Sequence, residues 1–445
     1  MANSLASKLL RNPSFALILA IVGAASMVYY HQGLFIPKSN AMLIARGLGS
    51  GYSFGNDFYQ VWLTSRALFA QKQNPYSPDM TREIQIGLYG RPLDPNRPGD
   101  FVDLRVFPYP AFTDLLFWPA SQFPFTVVRV LVPIVLLALT IASVMFWLNA
   151  MNWSLDWRWV TLITLLTLSS YSALEGLYAG QLGVLVAFLL AGAFAALKHQ
   201  RFLLAGFLLS LTTIKPQVAF LPTIYLVCWA SHDLRRRKSF LTGLFTTVSL
   251  LLLASLVALP NWIPSWLRTV WAYRHYTTPP LVADVLTSLL PNAIAAAATL
   301  VLTLFIIVLG LILAWQNRGV DFGSHRFWLI LSVLLSITTV VILPGQAVYD
   351  HLILIPALFL LWRHRDQLRN AGRIPRVLLA ATEIIFLWPW IAAFGLAIAH
   401  PFGGRIILDS PMLLALPIRT AASLPFAVLA LLVWTWRLSR QRAIS

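Results

Sequence analysis

Residues 125–150 read FTVVRVLVPIVLLALTIASVMFWLNA. The run is continuously apolar and shows no alternation of apolar and polar residues. At about 1.5 Å rise per residue, a helix of this length crosses the roughly 30 Å hydrocarbon core of a bilayer. A barrel strand would be shorter and would alternate. Comparable runs recur along the chain, so the fold class is all-α, polytopic and membrane-embedded. Composition agrees. The 445 residues are 58% hydrophobic and only 11% charged, with a mean hydropathy of +0.73. A soluble domain carries roughly 25% charged residues.

The net charge is +17 at pH 7. In a soluble chain that would suggest nucleic acid. Here Lys and Arg fall mostly in short loops between apolar runs, where they set orientation and meet anionic lipid head groups. The partner they imply is the lipid bilayer, and no nucleic acid is expected. The single cysteine, Cys228, excludes an intramolecular disulfide and a cysteine metal cluster. Lys8 and Arg11 precede an apolar run from Ser14 to Ile36 that is too long for a signal h-region, so it reads as a retained first span.

Lys8 and Arg11 place the N-terminus in the cytoplasm by the positive-inside rule. A long first extracytoplasmic loop then covers 37–122. It holds a Gly-rich run (residues 47–51), an amphipathic stretch from Phe58 to Gln71, a Pro-rich stretch around Arg91–Pro95, and an interfacial Phe112–Trp118. Further spans are expected at Phe125–Ala150, Trp159–Leu174, Gln181–Leu197, Phe240–Leu259, Asn292–Trp315, Phe327–Leu343, Val348–Trp362, Val377–Ala399 and Met412–Trp436. The run Phe202–Ala230 has basic flanks at both ends and so reads as two short helices turning at Lys215-Pro216. Pro216 lacks an N–H and disfavours helix at the residue before it, and broken helices are tolerated where they line a cavity. The total is about 12 transmembrane helices, both termini cytoplasmic, forming one integral-membrane domain over 1–445 with no tandem repeat.

Ionisable groups in spans cost roughly 2.5–3.5 kcal/mol each on insertion scales and are functional suspects. In this topology they collect near the outer face: Asp57 in the first loop, Glu175 and Gln181 at an outer turn, Lys215 and Gln217 at the break, Asp350 and His351 at the start of a span, and Arg419 about two turns into the last one. Each has a structural alternative. Glu175 would be a solvated turn residue, Lys215 a snorkelling side chain, Asp350 a helix cap and His351 a hydrogen bonder. Arg419 would pair with a structural carboxylate, and Asp57 would cap the Phe58–Gln71 helix. Glu383 sits towards the inner side and reads as structural. A carboxylate facing Lys and Arg suits a base that takes a hydroxyl proton while cations hold a leaving phosphate. No His/Cys/Asp cluster has metal-ligand spacing, and no Gly-rich nucleotide loop is present. No cofactor is expected, with metal dependence left open, and the donor would come from the bilayer.

Gly55-Asn56-Asp57-Phe58-Tyr59 followed by Asn74-Pro75-Tyr76 resembles the first-loop pattern of glycosyltransferase family 87. That family contains polyprenyl-phosphate-mannose-dependent mannosyltransferases of the GT-C membrane fold. Tyr109-Pro110, Gly180-Gln181, Ala205-Gly206, Lys215-Pro216-Gln217 and Tyr349-Asp350-His351 resemble later stations, in order, over roughly residues 55–360. The chain departs at Ala111, where the family has a second Pro, in a longer segment before Asp57, and in an apparent insertion from Asp79 to Asp103.

The resemblance implies an inverting transfer on the outer face of the plasma membrane, from a polyprenyl-phosphate sugar donor to a glycan or glycolipid acceptor. Asp57 would be the general base. Lys215, with His351 assisting, would hold the donor phosphate, and topology adds Arg419. Glu175, Gln181, Gln217, Asp350 and Tyr76 would bind sugar or acceptor. A transporter or flippase for a lipid-linked or anionic substrate is the competing reading, although no inverted repeat supports it. A non-catalytic scaffold would leave the polar layer unexplained.

Overall fold

The computed structural model describes residues 12–49, 54–94, 96–100, 104–273 and 277–444. Lys8 and Arg11, expected to orient the N-terminus, lie outside the described residues, as do Ser50 and Gly51 of the Gly-rich run. Among the described residues the protein is helical, with one isolated bridge between Pro280 and Pro344 and no named strand.

Helix α1 (Pro13–Ala45) contains a π-helical stretch, Tyr30–Phe35. Three helices of the first loop follow: α2 (Asn56–Arg66), α3 (Pro78–Tyr89) and α4 (Phe112–Ser121). Asn74-Pro75-Tyr76 makes an Asx turn, with Tyr76 N–H donating to Asn74 Oδ1 at 2.9 Å. Ser77 then caps α3 through the Met80 N–H, with Pro78 at its first position, and Gly90 closes it at φ 76°. The apparent insertion therefore has a helix and a tied loop. Arg91 donates twice to Asp100 (2.7 and 2.5 Å) and once to the Gly47 carbonyl (3.2 Å). The Arg91 guanidinium holds the Asp100 carboxyl well below its usual range.

The long α5 (Phe125–Ala150) is followed by α6 (Trp157–Leu168) and α7 (Tyr171–Ala179), bent 59° to each other at Ser169-Ser170. Ser170 caps α7 through the Ala173 N–H at 3.2 Å, which is why a helix restarts there. Next come α8 (Leu182–Lys198), α9 (Phe202–Leu211), α10 (Pro216–His232) and α11 (Leu234–Ala258). The break falls at Lys215, whose φ −137° and ψ 72° leave the helix, as Pro216 requires. Helices α9 and α11 cross at Gly206 and Gly243. A Cβ on either would run into a backbone carbonyl of the other helix, Phe240 or Leu203 respectively. Small residues at such a crossing let backbones touch.

The remaining helices are α12 (Trp262–Tyr273), α13 (Leu281–Leu289), α14 (Asn292–Gln316), α15 (His325–Ile342), α16 (Ile355–Arg363), α17 (Arg365–Asn370), α18 (Arg373–Asp409), α19 (Pro411–Leu414) and α20 (Leu424–Ile444). Helices α8 and α15 are buried along most of their length and form the centre. Helices α11, α14 and α18 expose broad apolar faces, as lipid contact requires. Arg369 donates to both Glu383 oxygens (3.0 and 3.2 Å), so Glu383 is bonded to a neighbouring helix.

Among the described residues, six helices are long and apolar enough to cross a membrane: α1, α5, α11, α14, α15 and α18. The bent α6–α7 pair makes a seventh if taken as one span. The chain is thus a polytopic all-α membrane protein, but the expected count of twelve does not follow from these lengths. The Ser170 cap divides the expected Trp159–Leu174 span, and α8, α9, α10 and α16 each fall short of 18 residues. The last expected span, Met412–Trp436, is likewise interrupted, and its continuous helix begins at Leu424.

Candidate active site

Asp57 stands in the first turn of α2. The cap position is taken by Gly55 at φ 80°, whose N–H donates to the Tyr178 carbonyl at 2.7 Å. Asp57 is therefore not the cap, and its carboxylate belongs to the first turn, where the unpaired N–H groups of a helix start favour negative charge. Oδ1 receives Arg105 Nη1 at 3.0 Å, and Oδ2 receives Gln181 Nε2. The side chain keeps 13% exposure.

Gln181 reaches Asp57 because the α7–α8 turn lies against α2. Gly180 has φ 71°, a left-handed conformation that suits glycine. A Cβ there would also stand 2.9 Å from Phe58 Cβ. Two residues further on, Gly183 opens the way to a second pair. A Cβ on Gly183 would strike Asp350 Oδ1 and lie 3.4 Å from Lys215 Nζ. The start of α8 thus touches both carboxylates, one through Gln181 and one through Gly183.

Lys215 Nζ donates to Asp350 Oδ1 at 2.7 Å and lies 4.6 Å from the centre of the Tyr349 ring. Both members of the pair are buried. Asp350 sits on a short 3-10 helix, Val348–Leu354, just before α16. Tyr109, on the extended segment before α4, connects the two pairs electrostatically. Burial pushes its hydroxyl well above the usual range, and the charges of Asp57 and Asp350 push it further. Gln181 Oε1, Asp350 Oδ2 and His351 Nε2 are buried with no hydrogen-bond partner among the described residues. Buried polar atoms are normally paired, so these three suit a polyhydroxylated or phosphorylated ligand.

The other expected residues divide. Glu175 Oε2 lies 3.0 Å from His31 Nε2, on the π-helical stretch of α1. Gln217 is half-buried in the first turn of α10. Tyr76 donates its hydroxyl to the Tyr109 carbonyl at 2.8 Å and so supports the segment beneath the site. Arg419 is exposed at the end of a 3-10 turn, Leu416–Ile418, five residues before α20 begins. Among the described residues, the hydrogen bonds and ion pairs of Asp57, Lys215 and Asp350 do not include it.

Arg105, Tyr109, Gly183 and His31 were not singled out as site residues by the sequence. Arg105 lies in what reads as the border of an insertion, and its partner is 48 residues away. Tyr109 had a signal in Tyr109-Pro110, and Gly183 in its closeness to Gly180-Gln181.

The arrangement offers a part-exposed carboxylate with fixed orientation, a buried Lys–Asp pair, and unpaired polar atoms between them. That suits hydroxyl activation beside a polar substrate. No curated protein matches the chain significantly. The model of glycosyltransferase family 87 matches residues 107–387, well over half of the chain. The match takes in Tyr109, Glu175, Gln181, Lys215, Asp350 and His351 and begins after Asp57. With its apolar helices, the chain belongs to glycosyltransferase family 87 and is a membrane glycosyltransferase.

Proposed function

We propose that this enzyme moves a sugar, with mannose the leading candidate, from polyprenyl phosphate to a hydroxyl of a glycan or glycolipid. Asp57 takes the acceptor's hydroxyl proton. The acceptor oxygen forms a bond to the anomeric carbon while the bond from that carbon to the phosphate oxygen breaks, and polyprenyl phosphate leaves with the electron pair. Attack opposite the leaving group inverts the anomeric centre. Lys215 keeps donors beyond the one it gives Asp350 and offers them to the phosphate, with His351 beside it. Asp350 Oδ2 and Gln181 Oε1 accept from sugar hydroxyls. Arg419, on its separate exposed turn, is given no role in this step. The enzyme lies in the plasma membrane with both termini cytoplasmic and this site on the extracytoplasmic side.

One observation carries the reading. Asp57 is the part-exposed carboxylate of the cluster, placed at a helix start and oriented from both sides. The buried Asp350 is already committed to Lys215. Asp57→Asn keeps size and much of the hydrogen bonding while removing the base. Transfer from a polyprenyl-phosphate sugar is expected to fall by at least ~100-fold, with the melting temperature unchanged. Retained transfer in that variant rules Asp57 out as the base. Sidedness is read with a cysteine at position 57 in a Cys228→Ser background. Modification by an impermeant thiol reagent only from the cytoplasmic side would overturn the orientation.

A further inference from the structure

We propose that Arg105 is a positioning residue for the Asp57 carboxylate, and that helix α3, through Gln85 and Tyr89, serves as its mount. This rests on the reading of Asp57 as the base. Arg105 Nη1 meets Asp57 Oδ1 at 3.0 Å, and Arg105 Nε donates to the Tyr89 hydroxyl at 2.9 Å. Tyr89 is the last residue of α3 and is buried. The guanidinium is a planar fork. Fixing it at two points fixes its plane, and with it the side from which it meets the carboxylate.

The backbone beneath is tied in the same way. Gln85, on α3, donates to the Leu104 carbonyl at 2.8 Å and accepts from the Leu93 N–H at 2.9 Å. It clamps both ends of the loop that leads to Arg105. Beyond Arg105, Trp266 donates to the Pro108 carbonyl at 2.9 Å and Tyr76 to the Tyr109 carbonyl. Arg105 itself has φ 54°, a left-handed conformation uncommon for a non-glycine residue. The ties on both sides hold it there, and this conformation accompanies the guanidinium's placement on Asp57.

Gln181 holds the other oxygen from the opposite side. With one bond on each oxygen, the carboxylate plane is set and each oxygen retains a second acceptor site. A base fixed this way meets an incoming hydroxyl without reorienting. Misplacement of a reacting group by about 1 Å can lower a rate by ~100-fold.

Full-length protein in liposomes, supplied with polyprenyl-phosphate mannose and a membrane glycolipid extract as acceptor, tests this. Arg105→Gly is the cleanest deletion, because glycine accepts the positive φ and the loop is not strained by the change. Its kcat is expected to fall ~10–100-fold with donor KM within about threefold, and added methylguanidine should restore part of the loss. Tyr89→Phe should lower kcat by roughly threefold alone and not at all in the Arg105→Gly background, because the two act in one chain. A raised donor KM with unchanged kcat in Arg105→Gly would assign Arg105 to donor binding and overturn the proposal. So would a wild-type kcat in Arg105→Gly beside an inactive Asp57→Asn. Retained activity in Asp57→Asn removes the base itself, a distinct outcome. Should Arg105→Gly not fold, Tyr89→Phe and Arg105→Lys carry the test. Arg105→Lys keeps charge without the fork and is expected to be intermediate, and equality of both with wild type overturns the proposal.

Discussion

Replacing Lys215 by Met should unfold this protein more readily than any loss of a surface contact. Lys215 is 8% exposed and Asp350 is fully buried. Asp350 Oδ1 accepts from Lys215, and Oδ2 has no partner among the described residues. The substitution therefore leaves a buried carboxylate with no cation and no side-chain donor. Breaking a buried pair from one side costs about 3–5 kcal/mol, or roughly 10²–10⁴ in the folding equilibrium. Replacing both members by apolar residues of similar size is often neutral or mildly stabilising. Lys215→Met should thus be severe and Lys215→Met/Asp350→Leu mild. The protein supplies its own probe. Cys228 is its single cysteine and lies on α10, the helix that starts beside Lys215. A thiol-reactive dye in detergent then reports the opening of that helix as temperature rises. A single substitution no more destabilising than the double one would refute the reasoning, since it would mean that Asp350 is not dependent on Lys215.

Three further outcomes are expected. Gly180→Ala forces a side chain into φ 71° and against Phe58 Cβ. It should destabilise by roughly 1–3 kcal/mol and reduce transfer by moving Gln181 off Asp57, both read by dye melting and turnover. Asp114 is buried on α4 with Oδ1 accepting from Thr64 (2.8 Å) and Ser65 (3.2 Å), and burial pushes its carboxyl up to about 8. Because the folded state holds this proton more tightly than the unfolded chain does, the group's contribution is fully present below about pH 4 and is lost as pH rises towards 8. Asp114→Asn should therefore flatten the decline in melting temperature over that window, and an identical decline in the variant would show that Asp114 does not titrate there. Arg369→Ala, by contrast, removes the partner of a part-exposed Glu383 and should change stability by less than about 1 kcal/mol, again by melting.

The membrane class and the break at Lys215 were legible because they depend on local rules: continuous apolarity and the restriction that proline places on its predecessor. Asp57, Gln181, Lys215 and Asp350 were legible as types, and the expectation of a common depth anticipated their gathering. Their pairing was not legible. Lys215 appeared as a free cation for phosphate but is bonded to Asp350 across 135 residues, and no periodicity reports such a distance. Arg419 was misplaced for a different reason. Apolar content continues through Met412–Trp436, but the helix stops and restarts at Leu424, so counting turns from an assumed start gave the wrong position. Arg105 was hidden because a tied loop and a disordered insertion have similar composition.

The π-helical stretch in α1 sets a constraint of helical phase. Each residue of an α-helix turns the chain by about 100°, and a π segment accommodates an extra residue without breaking the helix. Tyr30–Phe35 therefore sets the phase between Pro13–Tyr29, which packs on α18, and Ile36–Ala45, which leads to the first loop. His31 faces Glu175 from within this stretch. Removing one residue there would restore regular α-helix and leave the apolar composition nearly unchanged. Because the π stretch has absorbed that residue, the helices on either side would keep their mutual phase, whereas a deletion in the regular α-helix above or below would rotate upstream against downstream by about 100°. This helix therefore tolerates a change of length within Tyr30–Phe35 and not outside it.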